Sequence, residues 1–66
     1  MLRRGWEYLM LDPWMVDDLP HGIVQYDLYK EPTGYNQYYG SVIYDRPLTN
    51  AEVDRFNFDG PLPVWV

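Results

Sequence analysis

Leu48-Thr49-Asn50-Ala51-Glu52-Val53 holds the most specific local signal in the chain. Thr49 stands three residues before Glu52, the spacing at which a threonine hydroxyl bonds the N3 amide and the N3 carboxylate bonds back to the N-cap amide. Leu48 and Val53 flank that box as a hydrophobic staple, so a helix starts here. Val53 and Phe56 fall on one side of it, Asp54 and Arg55 turn outward, and Asp59-Gly60-Pro61 ends it near Asn57. Such a helix covers one face of a sheet, and the residues on either side of it supply the strands.

Upstream, Tyr38 to Tyr44 is a β-branched and aromatic run with a period of two. Before it, Pro32-Thr33-Gly34-Tyr35-Asn36-Gln37 is rich in turn formers, and Ile23 to Lys30 alternates cleanly. Val24, Tyr26 and Leu28 fall on one face, read as core, with Gln25, Asp27 and Tyr29 on the other. The two runs form a hairpin. Gly5 to Leu11 is a further strand in which Trp6, Tyr8 and Met10 alternate with Glu7, Leu9 and Leu11, so both faces carry apolar weight. Asp12-Pro13 reads as an N-cap and first helical residue, opening a short helical turn that closes before Pro20. Residues 60–66 are an extended, proline-rich tail with an apolar end. The expected architecture is α+β: one domain over 1–66, a small antiparallel three-stranded sheet, one C-terminal helix on one face, and a short helical turn after the first strand.

Composition narrows the function. The chain has 66 residues and no cysteine, so neither a disulfide framework nor a thiolate metal site supports it. Ten acidic against five basic residues give a charge of −5, which disfavours direct binding of nucleic acid, and a basic protein surface suits it better. Aromatic residues make up 18%, including seven Tyr, more than a minimal core requires. Glu7 and Asp12 interrupt the apolar run a secretory signal would need after Arg3-Arg4, and no run of eighteen apolar residues occurs. The expected setting is cytoplasmic, in a reducing compartment, with no membrane partner.

No catalytic constellation emerges. His21 and Ser41 are the single histidine and serine, with no nucleophile pattern joining them. Asp17, Asp18 and His21 lack metal-ligand spacing, and Gly34 and Gly40 match no phosphate-cradling loop. The expectation is a non-enzyme with no metal and no cofactor. The candidate partner-binding residues are Glu7, Asp27, Tyr29, Glu31, Tyr39 and Asp45, carboxylates to pair with Lys or Arg and tyrosines to act as anchors on an exposed sheet face. Tyrosines on a sheet also serve as stacking platforms for single-stranded nucleic acid, a use that the negative charge opposes. Arg46 and Arg55 read as local ion-pair partners, Arg55 at i+3 from Glu52.

Small, acidic, cysteine-free, aromatic-rich domains of this type resemble the inhibitors that phages and mobile elements direct at host defence, the anti-CRISPR proteins among them. Ile43-Tyr44-Asp45-Arg46-Pro47-Leu48-Thr49-Asn50-Ala51-Glu52-Val53, about one sixth of the chain, also resembles a strand-to-helix segment of uncharacterised mobile-element proteins. The resemblance implies a non-catalytic inhibitor in the host bacterial cytoplasm, a monomer or weak homodimer. It would bind the basic surface of a CRISPR-Cas or other nucleic-acid-binding complex, with Glu7, Asp27, Glu31 and Asp45 standing in for DNA phosphates. The alternative is a small structural or regulatory subunit that docks through its apolar tail, Leu62 to Val66.

Overall fold

In the computed structural model, which describes residues 2–66, Tyr8 and Met10 alternate into a closed core and define β1 (Arg4–Met10) as a central strand. A single 3-10 turn (Val16–Asp18) follows, then β2 (Ile23–Thr33), β3 (Tyr38–Tyr44), α1 (Asn50–Phe56) and β4 (Phe58–Trp65). The sheet is four-stranded in the order β2-β3-β1-β4, and every neighbouring pair is antiparallel.

The expectation of three strands is therefore corrected, because the tail expected over 60–66 belongs to β4 as far as Trp65 and lies beside β1. Pro61 and Pro63 keep that segment extended without excluding it from the ladder. An edge strand tolerates proline wherever the missing N–H would have pointed outward, and β4 is an edge. Its irregularity is localised, since Leu62 pairs with Glu7 and Asp59 with Leu9, leaving one extra residue at a bulge. Gly60 (φ 137°) occupies that bulge, where a Cβ would come within 2.8 Å of the Glu7 carbonyl oxygen. With β3 and β4 both antiparallel to β1, they run parallel to each other. The chain between them must cross the sheet, and α1 is that crossover.

The capping box forms as expected: the Glu52 amide donates to Thr49 Oγ1 at 3.2 Å and the Thr49 amide to Glu52 Oε1 at 3.0 Å. Asn57 closes the helix in the left-handed conformation (φ 55°), its amide donating to the Asp54 and Val53 carbonyls. The helical turn after β1 is displaced from Asp12. Met15 precedes it without a side-chain cap, and Asp12 instead accepts from Asn57 Nδ2 at 3.3 Å. Trp14 reaches across to donate from Nε1 to the Phe56 carbonyl at 2.8 Å and meets the Phe56 ring edge-on at 5.1 Å, pinning this loop over the end of α1. Arg46 ties the other end: it donates to both carboxylate oxygens of Glu52 (3.1 and 3.2 Å) and to the His21 carbonyl (3.0 Å). Among the described residues Arg55 makes no such pair. Its guanidinium lies over the Phe56 ring at 5.5 Å.

The largest departure concerns β2. Val24, Tyr26 and Leu28 are 49%, 54% and 39% exposed and are not core. The seven-residue helix lies toward β4 and does not reach across to β2, and a bulge between Ile23 and Gln25 sets Val24 out of the alternation. Gly40 opposes both Leu28 and Met10, and a Cβ there would come within 2.6 Å of the Asp27 carbonyl oxygen, so β2 and β3 meet closely only because that residue is glycine.

The core is Tyr8, Met10, Leu19, Val42, Tyr44, Leu48, Phe56 and Phe58. Tyr8 sits at its centre, edge-on to Tyr44 at 6.0 Å and tilted against Phe58 at 5.8 Å, and its hydroxyl accepts the buried Leu48 amide at 2.9 Å. Tyr8→Phe keeps the ring and strands that amide. The expected loss is about 1–3 kcal/mol, the cost of leaving a buried donor unsatisfied, read from urea unfolding.

A pH dependence follows from Glu52. The Arg46 guanidinium, and next the Thr49 amide, hold its carboxyl down from 4.5 to about 2. A carboxyl depressed in the folded state contributes stability that is complete above its unfolded value and is lost as pH falls toward the folded one. Melting temperature should thus drop between about pH 5 and pH 2. Glu52→Gln should show a shallower drop and converge with the parent chain at the acid end.

Candidate functional site

β-Alternation turns Glu7 and Asp27 to the same side of the sheet, the side away from α1. The register fixes their neighbours. Across the strands one row reads Gln25, Ile43, Glu7, Leu62, and the next reads Asp27, Ser41, Leu9, Asp59. Gly5 and Val64 form the row beyond Glu7. A Cβ placed on Gly5 would lie 2.9 Å from an Ile43 methyl, 3.2 Å from one of Val64 and 3.3 Å from one of Val66, so these three side chains converge over the glycine. Ile43 is only 9% exposed although no element covers it, while Leu62 beside it is 50% exposed. This face is an apolar centre with carboxylates set into and around it.

Among the paired positions from Gly5 to Leu9 this side carries no Lys or Arg; its cation, Arg3, stands one row beyond Gly5, where it exchanges backbone hydrogen bonds with Val66. Among the described residues the ion pair is Arg46–Glu52, at the mouth of α1, so neither Glu7 nor Asp27 has a cationic partner. Asp59 accepts the Tyr38 hydroxyl at 2.6 Å, and Asn36 Nδ2 donates to that hydroxyl at 2.9 Å, which ties the turn of the hairpin to β4. Around Glu7 and Asp27 the face carries negative charge without an ion-pair partner next to apolar surface, with Arg3 at its far end, an arrangement suited to a partner that brings both Arg or Lys and apolar side chains.

The six expected binding residues do not form one cluster. Glu7 and Asp27 share the uncovered face. Tyr39 is half-buried and packs against the core. Tyr29 is half-buried on β2. Glu31 is exposed near the hairpin turn, whereas Asp45 is exposed just past the other end of β3, its amide donating to the Gly22 carbonyl at 3.2 Å. At about 3.3 Å per residue these two acids lie roughly 20 Å apart along the sheet. The surplus of surface tyrosines also contracts. Tyr8 and Tyr44 are core, and Tyr26 and Tyr35 are the exposed ones. Burial pushes the Tyr44 phenol up to about 12, and its hydroxyl donates to the Pro20 carbonyl at 3.0 Å.

Leu9, Ile43, Leu62 and Val64 complete the face and were absent from the expected set. A signal for Leu9 existed in the first strand, where apolar weight on both sides marks a strand whose second face is also partly dry.

On the helix side, an open groove of about 380 Å³ runs between the 3-10 turn and α1, lined by Leu19, Pro20, Ala51 and Phe56 with Asp18, Glu52 and Arg55 at its rim. Two of those charges are already engaged, Glu52 with Arg46 and Arg55 with the Phe56 ring. His21 lies in the loop before β2. Ser41 lies in mid-β3, four residues from Asp45, whose amide bonds the Gly22 carbonyl next to His21, so more than about 13 Å of sheet separates them. No helix among the described residues is long and apolar enough to cross a membrane. Comparison with known proteins finds no family model, no curated protein and no solved structure that matches the chain.

The convergence over Gly5 is open to direct measurement. Gly5→Ala presses a methyl into the Cγ2 of Ile43, which is branched at Cβ and 9% exposed, with methyls of Val64 and Val66 close behind, so little room is left for it to give way. The expected cost is about 1–3 kcal/mol, the range for overpacking, read from urea midpoints at constant m-value.

Proposed function

We propose that this chain is a non-catalytic binding protein that occupies a basic surface of a larger protein partner, docking through the uncovered face of its sheet. The supporting observation is the pairing of Glu7 and Asp27, both without a cationic partner among the described residues, with the apolar centre of Ile43, Leu62 and Val64. A basic surface that grips nucleic acid is one such partner surface, and covering it inhibits. The likeness of type to anti-CRISPR proteins gives that inhibition its form: blockade of a CRISPR-Cas or similar complex in a bacterial host. The alternative, in which an apolar tail docks as a free peptide, loses ground, because Leu62 and Val64 are committed to β4 and contribute to this same face.

The test is capture from bacterial lysate on the tagged chain, with retained proteins identified by mass spectrometry. At low salt a nucleic-acid-binding protein should be retained. Raising the salt, adding duplex DNA, or reversing charge with Glu7→Lys/Asp27→Lys should each release it, since screening and competition act on the same contacts. Retention that survives both high salt and the double charge reversal would sink the reading.

A further inference from the structure

We infer that the outer edge of β2 is a docking site for an extended segment of another protein in which apolar and basic residues alternate, received as a fifth strand. This edge is a different surface from the uncovered face and shares only Gln25 and Asp27 with it.

β2 has one neighbour, β3, so its outer backbone groups have no strand to bond. The two edges of the sheet are unequal in this respect. β4 carries Pro61 and Pro63 and a bulge between them and Asp59, which blunt it as a template. β2 carries Pro32 and a register shift on either side of its regular run, which confines its template to Gln25–Leu28; that run contains no proline and pairs without interruption to Ile43, Val42, Ser41 and Gly40.

The side chains of that run specify what would lie beside it. On the helix side, Tyr26 opposes the fully buried Val42 and Leu28 opposes Gly40, next to Met10, so both extend the core outward with no helix above them. An added strand placing apolar side chains there would complete that layer. On the other side Asp27 has no ion-pair partner among the described residues, and the residue facing it across the new ladder is best a Lys or Arg. Main-chain bonds supply affinity in such additions and alternate side chains supply selectivity.

A second copy of this chain fits less well. Two-fold antiparallel pairing that sets Tyr26 against Leu28 of the other copy puts Asp27 directly opposite itself, a like-charge pair that destabilises the ladder. Of the two neighbouring registers that keep the faces aligned, one sets Leu28 against Val24, the residue displaced by the bulge, and the other sets Tyr26 against Lys30, in the stretch beyond Leu28 where β2 loses its register with β3.

The experiment uses the full chain and a labelled ten-residue peptide of alternating Val and Lys, followed by fluorescence anisotropy at physiological salt. Its controls are a peptide of the same composition with the Val and Lys in blocks, and two peptides N-methylated at alternate amides, one for each parity. The alternating peptide should bind at least tenfold more tightly than the block peptide, and one of the two methylated peptides should lose binding. Tyr26→Ser/Leu28→Ser, which changes no charge at exposed positions, should weaken binding at least tenfold with an unaltered circular dichroism spectrum. Leu62→Ser, on the uncovered face, should leave it unchanged, so failure of the edge and failure of the face are read separately. Equal binding of block and alternating peptides, or indifference to both methylations, overturns the inference. So does sedimentation of the chain alone as a dimer that Tyr26→Ser/Leu28→Ser converts to a monomer, because the edge is then taken by a second copy.

Discussion

The Tyr8 hydroxyl accepting the Leu48 amide is the contact on which the rest of the structure depends. Tyr8 belongs to the central strand, and its ring already touches Tyr44 on β3 and Phe58 on β4. Its oxygen reaches the residue just before the helix N-cap, so a single side chain joins three strands to the crossover. A chain of this length with no cysteine has little else to hold a crossover in place. The amide is one that would cost free energy if left unpaired, and the ring is one of the larger apolar surfaces available. Both requirements, burial and hydrogen bonding, meet in one tyrosine.

That anchor decides what remains open. Held at Leu48 and closed at Phe56, with Trp14 locked onto the Phe56 carbonyl, α1 covers the sheet toward β4. Seven helical residues span about 10 Å, too short to shelter the far edge strand as well. Exposure of Tyr26 and Leu28 is thus the geometric consequence of a short helix anchored on one side. The opposite face of the sheet has no covering element, and the chain softens that exposure by gathering Ile43, Val64 and Val66 over Gly5.

Much of the local structure was legible in the sequence, and the arrangement less so. Thr49 and Glu52 announced the helix because a capping box is a contact between neighbours and needs no tertiary context. Asn57 ended it for the same reason. The alternation of Trp6, Tyr8 and Met10, and of Tyr38 to Tyr44, marked strands correctly. Periodicity at Val24, Tyr26 and Leu28 revealed a strand with one apolar face, yet whether a face is buried depends on which elements lie above it. Proline at 61 and 63 hid β4, since the rule that excludes proline from ladders does not apply at an outward-facing edge. Of the candidate site, Glu7 and Asp27 were legible as same-side acids. The apolar partners beside them depended on the strand order β2-β3-β1-β4, which no local pattern encodes.

The aromatic content takes on a different meaning once the core is in view. Tyr8, Tyr44, Phe56, Phe58 and Trp14 form one chain of ring contacts, each within about 6 Å of the next, as aromatic packing favours. The richness that first suggested a tyrosine-lined interface is largely consumed in stabilising a domain that has neither disulfide nor long helix. The aromatic groups left outside that network include Tyr26, Tyr35 and Trp65, all well exposed. Two of them lie on the β2–β3 hairpin, so it is the hairpin, with Leu28 and the unpaired Asp27 beside Tyr26, that retains anchoring capacity beyond what folding requires.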